Sequence, residues 1–342
     1  MPRSEPGADG DDAVRRARAR LVGLACVLVV LMVASLLMGR YPGPYFTSLQ
    51  DLRDNELAQR LVLNLRLPRI LAAVLVGMVL SASGAVFQMI FRNPLVDSGF
   101  LGVSAGASFG ASLAIVALGG QAWKVQSAAA VFGMLGLAAS YLLGQRIRYG
   151  DWVLRLVLAG IAVSALYSSG TSVLKYLADP LRQLPDITFW LLGGLWGITW
   201  PDVLQVLPVV VPCLVVIYLM RWRLNLLSMR DETAFSLGVS AGRERLVLLV
   251  AAVAATAAVV SKAGQVGWVG LIVPHIARRL VGADAQRTLP GAMLLGSFFV
   301  LLCDDLARVA LPGEIPLGIL TSFAGAAFFL GLLMRRGWRA ER

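Results

Sequence analysis

Long runs of apolar residues, separated by short polar stretches, recur along the whole chain. A hydrocarbon core of about 30 Å requires about 20 predominantly apolar residues in each helical span. Ten segments approach that length, although the eighth and ninth are short and interrupted by glycine. They cover residues 21–38, 70–90, 99–118, 125–145, 153–172, 204–219, 246–260, 266–280, 289–302 and 317–333. The pattern predicts an all-α polytopic membrane protein with about ten transmembrane helices.

The composition agrees with this prediction. Of 342 residues, 58% are hydrophobic and only 15% are charged, and the mean hydropathy is +0.74, well above that of a soluble domain. No Pro-rich or Ser-rich linker divides the chain, so we expect one membrane domain over residues 21–335, with tails at 1–20 and 336–342. The first span is longer than the apolar part of a secretory signal and no A-x-A pattern follows it, so we expect a retained helix.

The distribution of basic residues predicts the orientation. With a cytoplasmic N-terminus and alternating sides, 20 of the 31 Lys and Arg residues lie inside and ten lie outside, while Arg155 has no clear side. This bias favours a multi-pass protein of the inner or plasma membrane with both termini in the cytoplasm. The net charge of +11 then reflects topology and requires no nucleic acid partner. Five outside arginines nevertheless crowd into the first external loop: Arg40, Arg53, Arg60, Arg66 and Arg69.

A weak internal repeat supports an inverted architecture. A gapless shift of 180 residues matches eight of 34 positions between 72–105 and 252–285, including shared Ser, Gly and Pro. The two first helices of this repeat run in opposite directions in the predicted topology, as inverted repeats in transporters do. The shift pairs Pro94 with Pro274 and so places Pro274 in a connector, whereas hydropathy places it inside the eighth span. A short, partly irregular eighth helix would reconcile the two.

Residue types needed for enzymatic catalysis are scarce. His275 is the only histidine, so neither an H-E-x-x-H zinc site nor a Ser-His triad can be assembled. The three cysteines, Cys26, Cys213 and Cys303, lack metal-ligand spacing, and we expect them in the core. We therefore predict no enzyme activity, no metal and no cofactor.

Two further absences bear on the energy source. The chain has no G-x-x-x-x-G-K-[ST] phosphate loop, so ATP hydrolysis would have to occur in a partner subunit. Ion-coupled carriers usually hold an ionisable group deep in the membrane. The candidate carboxylates instead lie near predicted span ends: Asp97, Asp304, Asp305 and Glu314.

Small residues and prolines predict close packing and turns. Gly102, Gly106 and Gly110 recur every four residues and form a face that a neighbouring backbone can approach, or that lines a path. The Asn93-Pro94 pair favours a turn. In the eighth span we expect Gly270 and Pro274 to break the helix, and His275 to hydrogen-bond the freed backbone. Metal binding by His275 would need ligand partners that the sequence does not supply. A histidine can act as a proton switch near neutral pH, but we favour the structural role here.

Six strings, in order from Leu65 to Phe329, resemble the permease subunit of ABC importers for iron-siderophore, haem and vitamin B12. They read "LRLPRILAAVLVG", "SGAVFQMIFRNPLVDSGFLGVSAGA", "FWLLGGLWGITW", "DETAFSLGVSAGRER", "GWVGLIVPHIARRLVG" and "DDLARVALPGEIPLGILTSFAGAAFF". The resemblance implies the type II ABC importer permease fold, with ten transmembrane helices per subunit. It also implies a homodimer or close heterodimer, two cytoplasmic ATPase subunits, and a periplasmic or lipid-anchored substrate-binding protein outside.

The same resemblance implies three groups of site residues. A cytoplasmic coupling loop over 222–245 would contact the ATPase through Asp231, Glu232, Thr233, Ala234, Leu237 and Gly238. External arginines would meet acidic residues of the binding protein: Arg66, Arg69 and Arg308. Helix packing or gating would involve Asn93, Pro94, Leu95, Gly102, Gly106, Gly110, Gly270, Pro274 and His275. From composition alone, the loop could also be an ordinary solvated connector, and the arginines could snorkel at helix ends.

The expected function is import of a ferric siderophore or similar metal chelate, driven by ATP hydrolysis in the partner. Cobalamin, haem and molybdate remain alternative cargoes. The sequence departs from the family's pattern at two places, and these departures leave the substrate subgroup open. Asp97-Ser98 stands where the family often has Asp-Pro or Glu-Pro, and Ala327 stands where its last span usually has proline. From a different class, an ion-coupled secondary carrier is the alternative; the coupling motif and the lack of a midplane carboxylate argue against it.

Overall fold

Helices form nearly all of the described chain. The computed structural model describes residues 8–39, 46–97, 99–229, 233, 236, 238, 240–311 and 313–334. Within that part the helices are α1 (Ala8–Leu37), α2 (Leu49–Asp54), α3 (Glu56–Leu61), α4 (Leu67–Ile90), α5 (Val103–Ala117), α6 (Ala122–Arg146), α7 (Trp152–Leu177), α8 (Gln183–Leu192), α9 (Trp200–Leu219), α10 (Arg221–Leu227), α11 (Ala241–Ala263), α12 (Val269–Val281), α13 (Ala285–Val309) and α14 (Leu317–Met334). A π-helical turn, Val62–Arg66, joins α3 to α4. These described residues contain no β-strand, so the predicted all-α class is confirmed.

The ten predicted spans each coincide with a helix, namely α1, α4 to α7, α9 and α11 to α14. In the part of the chain that the structure describes, seven segments are long and apolar enough to cross a membrane: Val14–Leu37, Glu56–Ile90, Ala122–Arg146, Trp152–Leu177, Trp200–Leu219, Ala241–Ala263 and Ala285–Val309. The apolar helices α5 and α14 are shorter, and α12 has only 13 residues. Hydropathy did not identify the short helices α2, α3, α8 and α10.

Close backbone contacts hold α4 at the centre of the bundle. A methyl group added at Gly77 would overlap the backbone of Gly296 on α13, and one added at Gly84 would overlap Gly270 on α12. Small residues at such contacts let membrane helices approach closely. The helix α4 is therefore mostly buried among its neighbours, whereas α1 leaves most of its apolar surface exposed.

The glycine face predicted in the third span packs against α6. Methyl groups at Gly106 and Gly110 would overlap the carbonyls of Phe132 and Ala128. Gly102 precedes the helix rather than belonging to it, with φ of +79° at the N-cap of α5. The third span therefore begins later than its hydropathy indicated.

The eighth span differs from its prediction. The short helix expected there is confirmed, and its irregular part comes first, at residues 264–268. The expected break is wrong, because α12 runs without interruption through Gly270 and Pro274. In the 180-residue sequence shift, most of α4 aligns with α11. The connector 91–102 aligns with the helix α12, so the two halves of the repeat differ there in secondary structure.

The N-terminal region also departs from expectation. The helix α1 begins at Ala8, within the stretch 1–20 that we expected to be a tail. Of the cysteines expected in the core, Cys303 is buried but Cys26 on α1 is exposed. An apolar helix at the periphery of a membrane protein faces lipid, so a small apolar side chain does not need the protein core there.

Candidate functional sites at the two ends of the helix bundle

The first candidate site lies at the end of the bundle where α4 begins. Arg69 binds the carboxylate of Asp304 in a bidentate manner, with Nε–Oδ2 at 3.0 Å and Nη2–Oδ1 at 2.9 Å. Its Nη1 donates to Oε1 of Glu314 at 2.9 Å. The side chain of Asp304 is fully buried, Arg69 is 12% exposed, and Glu314 is 41% exposed. One guanidinium therefore joins a buried carboxylate to an exposed one.

Arg308 forms a second buried pair beside the first. It is paired with Asp305, and their side chains are 8% and 2% exposed. Arg308 Nη2 donates to the backbone oxygen of Ser35 at 2.8 Å, and Ser35 Oγ donates to Asp305 Oδ1 at 2.6 Å. These bonds connect α1 to α13.

Arg66 completes what we call the arginine cluster: Arg66, Arg69 and Arg308 with Asp304, Asp305 and Glu314. Arg66 Nη1 donates to the carbonyl of Leu36 at 3.0 Å and to Thr47 Oγ1 at 2.9 Å. The three arginines predicted to dock a partner thus lie together and hydrogen-bond within the chain. Three basic and three acidic groups leave the cluster formally neutral, and its buried guanidiniums do not snorkel into solvent. The sequence analysis noted Asp304 and Asp305 as carboxylates near a span end, but it missed that they lie one helical turn before Arg308 and can pair with the arginines.

A glutamine joins α4 to α12 near the opposite end. Pro274 has no N–H to donate, so the carbonyl of Gly270, four residues earlier, loses its helical partner. Gln88 Nε2 lies 3.2 Å from that carbonyl and 2.9 Å from the carbonyl of Leu271. Gln88 Oε1 accepts from Arg278 Nη2 at 2.5 Å.

Gln88 thus has the role that we predicted for His275. Among the described residues, the buried Nε2 of His275 has no hydrogen-bond partner. The prediction that His275 satisfies the freed backbone is therefore wrong. Hydropathy marked Gln88 only as a polar residue within an apolar span, which was the one available signal.

The connector after α4 lies beside the coupling region. Asn93 Oδ1 accepts from the N–H of Leu95 at 2.9 Å, which forms the turn expected at Asn93-Pro94. Arg92 has φ of +50°, uncommon for a residue other than glycine, and its Nη2 donates to the carbonyl of Met229. The sequence had not indicated Arg92.

The predicted coupling residues are only partly described. Asp231, Glu232, Ala234 and Leu237 lie outside the described residues. Thr233 and Gly238 are exposed, and Gly238 has φ of +77°, as a glycine at a helix C-terminus commonly does. The preceding helix α10 is tied to α13 by Asn225, whose Nδ2 donates to Asp284 Oδ1 at 2.7 Å and whose Oδ1 accepts from Ala285 N at 2.8 Å.

A cavity lies beside the connector between α4 and α5. It has a volume of about 330 Å³, and Asp97, Ser104, Thr256 and Gln265 contribute to its lining together with Leu80 from the middle of α4. Asp97 lies in the connector between α4 and α5, near the span ends as expected, and that connector carries it to the lining of the cavity. Asp97 Oδ1 accepts from the N–H of Gly99 at 3.0 Å.

Comparison with known proteins identifies the class of transporter. A model of the FecCD transport family matches residues 27–335. The chain belongs to the FecCD transport family. It is 37% identical over 330 residues to the molybdate import system permease MolB of Haemophilus influenzae, covering 94% of this chain and 97% of that protein. It is also 37% identical over 327 residues to the hemin transport system permease HmuU of Yersinia pestis, covering 93% and 96%.

A solved structure agrees with the family assignment. The structure, described as an inward-facing conformation of a metal-chelate type ABC transporter, has a TM-score of 0.86 and 37% identity, covering 92% of this chain and 99% of that one. The FecCD chain is therefore a multi-pass ABC transporter permease with the predicted fold. It is a transport subunit and not an enzyme, since its relatives are permeases of import systems.

Proposed function

We propose that this FecCD permease imports a metal chelate, with a ferric siderophore as the first candidate. The observation that carries the proposal is the agreement in sequence and fold with the metal-chelate type transporter over 99% of that chain. The two relatives import molybdate and hemin by their names, so both cargoes, together with cobalamin, belong in the test. The permease forms the translocation path for the cargo and catalyses no reaction itself.

Two ATPase subunits are proposed to bind at the end of the bundle that carries Arg92. Support comes from the exposed residues Thr233 and Gly238 of the coupling loop and from the bond between Arg92 and Met229. The connector after Arg92 leads from this bond to the cavity that Asp97 lines. A displacement of the coupling loop by the ATPase would therefore be transmitted to the cavity. Among the described basic residues predicted inside, Arg20 donates to the carbonyl of Leu280 and Arg278 to Gln88 at this end, which supports a cytoplasmic N-terminus.

The substrate-binding protein is proposed to dock at the arginine cluster, through Arg66, Arg69 and Arg308. Such docking would steer an acidic partner and fix its register. The permease is further proposed to act as a homodimer. The helix α14 supplies a surface for a second copy, since Phe323, Leu330 and Ile319 are exposed there.

Reconstitution tests these proposals together. The permease would be co-purified with the ATPase and the binding protein encoded beside it, and placed in liposomes with ATP inside or outside. Uptake of a labelled ferric siderophore, haem, cobalamin or molybdate should require ATP, the binding protein and a hydrolysis-competent ATPase. The purified complex should contain two copies of each membrane and ATPase subunit. Uptake by the permease alone, driven by an ion gradient, would instead establish the secondary carrier.

A further inference from the structure

Glu314 differs from the other two carboxylates of the arginine cluster in its exposure. Asp304 is 0% and Asp305 2% exposed at the side chain, whereas Glu314 is 41% exposed. Glu314 also lies outside a helix, in the segment between α13 and α14. Water, or an approaching protein, can reach this carboxylate without opening the helix bundle.

The geometry of Arg69 separates a permanent contact from a replaceable one. Asp304 engages Nε and Nη2, which form one edge of the guanidinium, while Glu314 engages only Nη1. A bidentate contact with a buried carboxylate is much stronger than a single contact with an exposed one. Nη1 is therefore the position on Arg69 where one carboxylate can replace another at low cost.

We propose that Glu314 occupies the docking position on Arg69 that an acidic side chain of the substrate-binding protein takes. Docking is then an exchange, in which the partner's carboxylate displaces that of Glu314 from Nη1. The inference rests on the proposed docking at this end of the bundle. It explains how a formally neutral cluster can bind an acidic protein, because displacement of Glu314 leaves one positive charge of the cluster for the partner.

The exchange sets a limit on docking affinity. While Glu314 occupies Nη1, the partner's carboxylate cannot bind there. The apparent affinity is therefore the intrinsic affinity multiplied by the fraction of time that Nη1 is unoccupied. Glu314→Gln replaces the charged contact at Nη1 with a weaker neutral hydrogen bond, so the position should be open for a larger fraction of the time. Because an exposed ion pair is worth at most about 1 kcal/mol, we expect Glu314→Gln to tighten docking by about two- to fivefold.

The chain offers a matched control at the same end of the bundle. Glu56 is 76% exposed and pairs with Arg60 at 2.5 Å on α3, just before the π-turn that leads into α4. Glu314→Gln and Glu56→Gln each remove one negative charge, but only the first opens Nη1 of Arg69. We would measure binding of the binding protein to the complete transporter in nanodiscs at two salt concentrations, together with the melting temperature of each variant.

Tightening by Glu314→Gln that exceeds the effect of Glu56→Gln would support the exchange. Equal tightening by both variants would show a net-charge effect, and unchanged or weaker docking by a folded Glu314→Gln transporter would overturn the proposal. If Glu314→Gln does not fold, Glu314→Asp keeps the charge but shortens its reach to Arg69, and should tighten docking to a smaller degree. Failure of the wild-type transporter to bind the protein would refute the docking site itself, a result distinct from equal behaviour of the two variants.

Discussion

Arg69 and Asp304 form a bidentate ion pair between α4 and α13, and the carboxylate of Asp304 has no exposed surface. The pair joins residues 235 positions apart in the chain. Charge counting along the sequence treated Arg69 as free positive charge on the outer surface. In the structure most of that charge is compensated by carboxylates inside the protein. This end of the bundle therefore attracts an acidic partner less strongly than the number of its arginines suggests.

Removal of the buried carboxylate should destabilise the permease. In Asp304→Asn the guanidinium of Arg69 remains buried with only Glu314 to compensate it. Loss of one partner of a buried ion pair costs about 3–5 kcal/mol, so we expect a clear fall in melting temperature in detergent. The exposed pair provides the control, because Glu56→Gln should change stability by less than about 1 kcal/mol. Equal melting temperatures for Asp304→Asn and the wild type would contradict a structural role for the pair.

The sequence predicted the helices well because the requirement to span a bilayer is local. An apolar run of sufficient length is enough to place a helix such as α4 or α11. The polar contacts were not predictable in the same way. Asp304 lies far from Arg69 along the chain, and nothing in a hydropathy profile indicates that they meet.

Irregular connectors were the second limit. Asp97 follows α4, so a model of spans and loops places it at the surface. The later part of the connector instead returns into the bundle, because α5 begins only at Val103 and Val96, Leu101 and Gly102 before it are buried. The break expected at Pro274 was wrong for a related reason: a helix tolerates proline when a neighbour satisfies the freed carbonyl, and Gln88 does so from another helix.

Replacement of Gln88 by methionine should weaken the junction between α4 and α12. The change keeps the length of the side chain but removes the donor to Gly270 and Leu271 and the acceptor for Arg278. Buried polar groups without partners cost about 1–3 kcal/mol each. We expect a lower melting temperature and reduced ATP-driven uptake. Gln88→Glu keeps an acceptor for Arg278 and should retain more stability than Gln88→Met, an order that a purely steric role would not produce.

His275 should tolerate a polar substitution. The structure places it in α12 without a partner for its buried Nε2, so His275→Gln removes no hydrogen bond that this atom makes in the described structure. We expect transport to stay within about twofold of wild type in the uptake assay, a difference of less than about 0.5 kcal/mol. A loss of more than tenfold in a variant that folds normally would assign the only histidine to metal or proton chemistry.

A methyl group at Gly84 should force α4 away from α12. The added carbon would overlap the carbonyl of Gly270, and this is backbone that cannot move without shifting the helix. Overpacking of this kind costs about 1–3 kcal/mol, so Gly84→Ala should lower the melting temperature and impair uptake. Gly23→Ala on α1 is the matched control, since nothing lies within 4 Å of the added methyl group. It makes the same chemical change in a helix and should be neutral or slightly stabilising, because alanine favours helix more than glycine does. If both substitutions left stability unchanged, the contact between α4 and α12 would have to be looser than the structure shows.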